Sequence, residues 1–139
     1  MLECFIMGDS IAAGLAQFRP ECQFAAQIGI GSRRYVQTLL SPHSANTIII
    51  SLGVNDDDKA DTLDNLRQLR AKVQARTVIW LLPGLKEHVR SLIRQVAAEH
   101  RDRTLDTRAQ AGRDHLHPTS AGYQVLADVT RRWRASSPR

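Results

Sequence analysis

The sequence predicts an α/β fold, a parallel sheet held between two layers of helices, and three observations carry that expectation. Short apolar runs alternate with amphipathic segments along the whole chain, the pattern of successive β-α-β units. Two of those runs, 47–52 and 77–82, are almost wholly apolar, as strands covered on both faces require. The chain has 139 residues, the size of one ordinary domain. Residues 1–139 are therefore expected to form a single unit.

Taken in order, 2–7 reads as the first strand and 11–18 as the helix that follows it. Residues 21–28 read as a second strand. Ser32 is expected to cap a helix whose apolar face is Val36, Leu39 and Leu40. After the buried strand 47–52, residues 61–73 place Leu63, Leu66, Leu69 and Val73 on one broad helical face. The strand 77–82 is stopped by Pro83-Gly84, and the next helix repeats Val89, Leu92, Ile93, Val96 and Ala97. A short last strand is expected at 103–105. Thr119 or Ser120 then caps a final helix bearing Tyr123, Leu126, Ala127, Thr130 and Trp133. Five strands and five helices fit a three-layer α/β/α sandwich with right-handed crossovers.

Composition narrows the function classes. With 42% hydrophobic and 24% charged residues the chain can bury a core. No apolar stretch reaches the roughly 18 residues of a membrane span. The first strand begins at residue 2 with no leader before it, and a cytoplasmic location is expected. The net charge is +5, with Arg131, Arg132 and Arg134 clustered near the end. No nucleic-acid motif accompanies that charge, so a solvated basic face is expected and no nucleic-acid partner. Cys4 and Cys22 match no metal or redox spacing and read as buried free thiols. A disulfide stays open, because the strands carrying them are candidate neighbours.

The chemistry-bearing residues fall in four separated places. Gly8-Asp9-Ser10 puts a hydroxyl at the carboxyl end of the first strand, where open α/β sheets build their sites. Asp114-His115-Leu116-His117-Pro118 offers a carboxylate and an imidazole three residues apart. A serine hydroxyl needs a base to take its proton, and a carboxylate fixes the base's tautomer. The chain order Ser, Asp, His is one that α/β hydrolases use. Gly29-Ile30-Gly31-Ser32 and Gly53-Val54-Asn55-Asp56 lie between, and each can present donors to an anion. His115 and His117, with Asp56, Asp57 and Asp58, offer metal-ligating groups but no third ligand at a standard spacing. The aspartate run reads as a solvated loop before a helix N-terminus.

Together these four blocks resemble those of the SGNH hydrolases, the GDSL esterase/lipase family, over nearly the whole chain. The resemblance implies a flavodoxin-like strand order 2-1-3-4-5 and no cofactor, and the ligand spacing above leads to the expectation of no metal. It implies Ser10 as nucleophile, His117 as base and then acid, and Asp114 as the group that orients His117. The oxyanion would be held by the N–H groups of Ser10 and Gly31 and the amide of Asn55, with Gly29 an alternative to Gly31. Ile11 stands where the family has Leu. Asp9, Pro83, Gly84, Leu85 and His115 are expected around the substrate. The loops are too brief for a lid, which points to short acyl esters. The expected substrate is a small acyl ester, including an acylated carbohydrate. Two alternatives stand beside the esterase: an O-deacetylase or acyltransferase with the same triad, and a non-catalytic flavodoxin-like or anionic-polymer-binding module.

Overall fold

The computed structural model describes residues 2–135, and side chains as far as Trp133. The Arg134 side chain, counted above in the basic cluster, lies outside the described residues. Five strands, β1 (Leu2–Gly8), β2 (Gln23–Ala26), β3 (His43–Ser51), β4 (Val73–Leu82) and β5 (Arg103–Asp106), form one parallel sheet. Its order is β2-β1-β3-β4-β5. Between and after them run α1 (Ser10–Gln17), α2 (Ser32–Thr38), α3 (Thr62–Ala71), α4 (Glu87–Glu99) and α5 (Ser120–Ala135).

Strand alternation divides the core into two halves. In register, Ile6 lies beside Ile49 and Ile49 beside Ile79, and this row faces α1 and α5. The next row, Met7, Ile50 and Trp80, faces the opposite way, toward α2, α3 and α4. Successive side chains of a strand point to opposite faces, so a strand buried on both sides must be apolar at both parities. Ile11, Leu15, Leu126 and Ala127 close the first half, and Tyr35, Leu66, Leu69, Ile93 and Val96 the second.

Element boundaries differ from the sequence reading where tertiary contacts decide them. β2 is an edge strand of four residues rather than 21–28, because it pairs with β1 alone and β1 ends at Gly8. α2 stops at Thr38, and Leu39 and Leu40 both donate their N–H groups to the Tyr35 carbonyl. Val73, expected to end a helix, opens β4 directly after the turn at Lys72. β3 begins at His43, where exposed and buried residues alternate before the continuous apolar run.

Two expectations about composition are corrected. Cys4 and Cys22 are not free thiols: they form a disulfide, with Cα atoms 4.8 Å apart. The parallel pairing that sets Phe5 beside Gln23 brings β1 and the turn before β2 within bonding reach. The basic cluster is also not simply solvated. Arg131 donates to Glu21 (2.8 Å) and to the Phe18 carbonyl (3.0 Å), and Arg19, fully buried, donates to Glu21 (2.7 Å) and Thr130. The hydrogen bond from Arg131 is the main reason Glu21 is held down at about 2. These arginines fasten α5 to the turn after α1.

The disulfide closes a loop over a sequence separation of 18, which in a chain-entropy account removes about 3 kcal/mol of unfolded-state freedom. Cys22→Ser, or full reduction, should therefore lower unfolding stability by about that amount. Denaturant titration with and without reductant measures the difference, and equal midpoints would show that the bridge contributes nothing.

Candidate active site

The site begins with a backbone contact. At Gly8, φ is +137°, and a Cβ there would stand 1.7 Å from the Ser51 carbonyl oxygen. Only glycine lets β1 and β3 end this close together. Asp9 then donates its N–H to that same carbonyl (2.9 Å) and caps α1, accepting from the Ile11 N–H (3.0 Å) and the Ser51 hydroxyl (2.9 Å). Asp9 was expected beside the substrate, and the structure corrects this: it is 1% exposed and points inward. Burial pushes its carboxyl up to about 6, against the opposing effect of these hydrogen bonds. With Asp9 anchored, Ser10 opens α1 at the carboxyl end of the sheet.

Across the site, the segment between β5 and α5 forms a closed turn. An isolated bridge joins Ala111 to Pro118, and the Gly112 N–H donates to the His117 carbonyl (2.8 Å). Inside the turn, one Asp114 oxygen accepts the N–H groups of Leu116 (2.9 Å) and His117 (2.8 Å). The other lies 2.6 Å from His117 Nδ1. The carboxylate can only accept, so Nδ1 carries the proton and Nε2 is left as an acceptor. Nε2 sits 2.9 Å from Ser10 Oγ. The hydrogen bond from His117, aided by the two backbone N–H groups, holds Asp114 down at about 2. Both side chains are about half exposed, so the relay lies in an open surface rather than a tunnel.

A second pair of loops, before α2 and before α3, meets through Asn55 and Ile30. The Asn55 amide donates to the Ile30 carbonyl (3.0 Å), which uses one of its two hydrogens and leaves the other. Among the described residues, neither the Ser10 nor the Gly31 N–H is taken by another group. Asp56, read from sequence as solvated, is instead 8% exposed and ties these loops together. Its carboxylate accepts from the Ser32 N–H (2.7 Å), the Ser32 hydroxyl and the Thr62 hydroxyl. Asn65 adds a bond to the Ser32 hydroxyl (3.0 Å). Ser32 is thus not the helix cap, a position Gly31 holds without a side-chain bond. Lys86, in the left-handed region at φ 62°, reaches back to the Asp56 carbonyl (2.9 Å). Membership of the Gly53-Val54-Asn55-Asp56 block set Asp56 apart from Asp57 and Asp58, but its burial is decided by where α2 and α3 start.

Of the remaining expected residues, Gly84, Leu85 and His115 line one cavity of about 260 Å³ with Arg108 and Ala111. A Cβ on Gly84 would lie 2.5 Å from the His115 carbonyl oxygen, so the two loops touch there. Pro83 is buried, and Arg90 holds its carbonyl (2.8 Å) while also bridging to Asp106 (2.8 Å). Among the described residues, the three-ligand cluster is Cys4, Glu21 and Cys22, and its two sulfurs are bonded to each other.

This fold has close counterparts among solved structures. A GDSL-like lipase from Bacteroides thetaiotaomicron superposes with a TM-score of 0.72 at 14% identity, covering 99% of this chain and 89% of the other. An acetyl xylan esterase from Geobacillus stearothermophilus gives 0.62 at 18% identity, covering 99% and 96%. The C-terminal catalytic domain of a Streptococcus pneumoniae peptidoglycan O-acetyltransferase gives 0.61 at 17%, covering 98% and 96%. The chain has the SGNH hydrolase fold. No family model and no curated protein matches it in sequence.

Asp9 supplies a pH test of this architecture. Its folded value of about 6 lies above the ordinary 3.8, so the folded chain holds the proton more tightly than the unfolded one. Its contribution to stability is then greatest below about pH 4 and is lost as pH rises to about 6, on the order of 2–3 kcal/mol in all. Asp9→Asn keeps an acceptor for Ile11 and Ser51 but does not titrate. The wild-type-minus-variant difference in unfolding free energy should fall by about that amount between pH 4 and 7. A difference independent of pH would show that Asp9 titrates normally.

Proposed function

We propose that this chain is a serine esterase acting on short acyl esters, with residues 1–139 as one catalytic domain. The observation that carries the reading is the continuous relay Ser10 Oγ–His117 Nε2 (2.9 Å) and His117 Nδ1–Asp114 (2.6 Å). In this reading Ser10 Oγ attacks the ester carbonyl carbon as its proton passes to Nε2. His117 then protonates the departing alcohol as the C–O bond breaks, leaving an acyl group on Ser10. Water, deprotonated by His117, releases the acid. Asp114 stays ionised throughout, orients the ring and stabilises the imidazolium. The negative oxygen of each tetrahedral intermediate is assigned to the N–H groups of Ser10 and Gly31 and the free hydrogen of the Asn55 amide. Gly31 is preferred to Gly29 because Gly31 and Asn55 line the same cavity.

A second reading, O-deacetylation or acyl transfer at a sugar hydroxyl, uses the same relay. It is supported by the fold shared with the acetyl xylan esterase and the peptidoglycan O-acetyltransferase domain. The two differ only in whether water or another hydroxyl receives the acyl group. None of the described helices is long and apolar enough to cross a membrane. Disulfides persist mainly in oxidising compartments, so the Cys4–Cys22 bridge weighs against the expected cytoplasmic location.

Ser10→Ala should lower kcat/KM for an activated acetyl ester on the order of 10³-fold or more, since nucleophile and base act as a unit. His117→Ala should match it, whereas the surface change His115→Ala should stay within about threefold. Steady-state kinetics of the three variants decides, and the reverse ranking of the two histidines would shift the assigned register.

Chain length tests the substrate class separately. An open site buries few methylenes, each worth roughly 0.8 kcal/mol when buried. The value of kcat/KM should therefore peak between acetyl and butyryl and fall at longer chains. Rates for acetyl, butyryl, octanoyl and palmitoyl esters below their micelle concentrations provide the measurement. An optimum at octanoyl or beyond would overturn the short-chain assignment.

A further inference from the structure

We propose that the cavity beyond Gly31 and Asn55 is a subsite for an anionic group at the end of the acyl chain. The preferred substrates would then be half-esters of short dicarboxylic acids. This rests on the esterase reading above. The cavity, of about 400 Å³, is lined by Gly31 and Asn55 together with Arg33, Arg34, Gln37 and Lys59. Its three cations come from two different elements: the two arginines from α2, and the lysine from the loop between β3 and α3.

Several cations elsewhere in the chain are already committed. Arg19, Arg67, Arg70, Arg90 and Arg131 all sit in ion pairs with carboxylates. Among the described residues, Arg33, Arg34 and Lys59 pair with none, and all three are exposed. The two carboxylates that also line the cavity are already engaged. Asp56 is turned inward onto Ser32 and Thr62, and Asp57 accepts the N–H groups of Lys59 (2.9 Å) and Ala60 (3.1 Å). Three unpaired cations against two carboxylates leave the wall net positive, which favours an anion.

The chemistry places the acyl side, not the alcohol side, in this cavity. The departing oxygen must face His117 Nε2, which protonates it, so the alcohol leaves on the His117 side. Ser10, His117 and Asp114 lie outside the cavity lining, whereas Gly31 and Asn55 belong to it. The acyl substituent, which diverges from both the C=O bond and the departing oxygen, is assigned to the side away from His117, where Arg33, Arg34 and Lys59 line the cavity. Attack by Ser10 expels the alcohol, protonated by His117, and leaves the dicarboxylic acid esterified to Ser10 at one end with its other carboxylate free. Hydrolysis then releases the dicarboxylic acid and regenerates the hydroxyl.

The test compares two 4-nitrophenyl esters with the same four-carbon acyl chain, butyrate and hemisuccinate. Wild-type kcat/KM should favour hemisuccinate roughly fivefold to tenfold, the scale that screened surface charges allow. The preference should shrink at about 0.5 M salt. The triple variant Arg33→Gln, Arg34→Gln, Lys59→Gln should erase the preference while leaving butyrate turnover within about twofold, since none of the three belongs to the relay. Equal wild-type rates for the two esters, or a preference that survives the triple change, would overturn the subsite. If neither ester is turned over by a route that Ser10→Ala abolishes, the esterase reading fails on its own account. Calorimetry with succinate alone then decides the subsite. Saturable binding lost in the triple variant upholds it, and no binding in the wild type refutes it.

Discussion

The parallel pairing of β1 with β3, closed at its carboxyl end by the contact of Gly8 with Ser51, is the constraint on which the rest depends. A Cβ at Gly8 would overlap the Ser51 carbonyl, so the two strands end flush only because that atom is missing. The same carbonyl receives the Asp9 N–H, and the same serine's hydroxyl donates to the Asp9 carboxylate. One short segment of β3 thereby fixes the start of α1 and the height of Ser10 above the sheet. Because β3 also pairs with β4, this position is carried into the centre of the core.

Around that fixed point, the loops are held by buried polar groups rather than by apolar contact. Loops cannot bury much hydrophobic area without leaving backbone groups unpaired. Here single carboxylates gather several donors each. Asp56 joins the loop before α2 to the loop before α3, and Arg90 joins the end of β4 to the end of β5. Asp114 does the same on a smaller scale, using one oxygen for backbone and one for His117. Asp56 and Arg90 are buried, and removing a partner of either would leave a buried donor or acceptor at a cost of about 1–3 kcal/mol. Ser10 and His117, the proposed reactive groups, are only partly covered.

The cations also differ by what they meet. On the α1–α5 side, arginines are spent internally on Glu21 and on carbonyl oxygens. On the α2–α3 side, Arg33, Arg34 and Lys59 face a cavity without ion pairs of their own among the described residues. The net charge of +5 is thus a poor guide to function taken as a sum, and an informative one taken by location.

The sequence by itself determined the layer order of strands and helices, because apolar runs at both parities leave no other way to be buried. The strand order 2-1-3-4-5 came from the resemblance of four blocks to the SGNH family and agrees with the observed sheet. The spacing of Asp114 and His117 was legible because three residues of turn suffice to fold a carboxylate onto a ring. Tertiary structure decided what local pattern could not. Whether Asp9 and Asp56 face solvent or core depends on Ser51, Ser32 and Thr62, residues up to 42 positions away in the chain. Whether Cys4 and Cys22 meet depends on the register of β1 against β2, which no spacing between two cysteines encodes. The edges of β2 and α2 likewise follow from what each element can pair with, not from propensity. Burial and pairing are properties of the assembled chain, so a residue's type announces what it can do, and only its neighbours decide what it does.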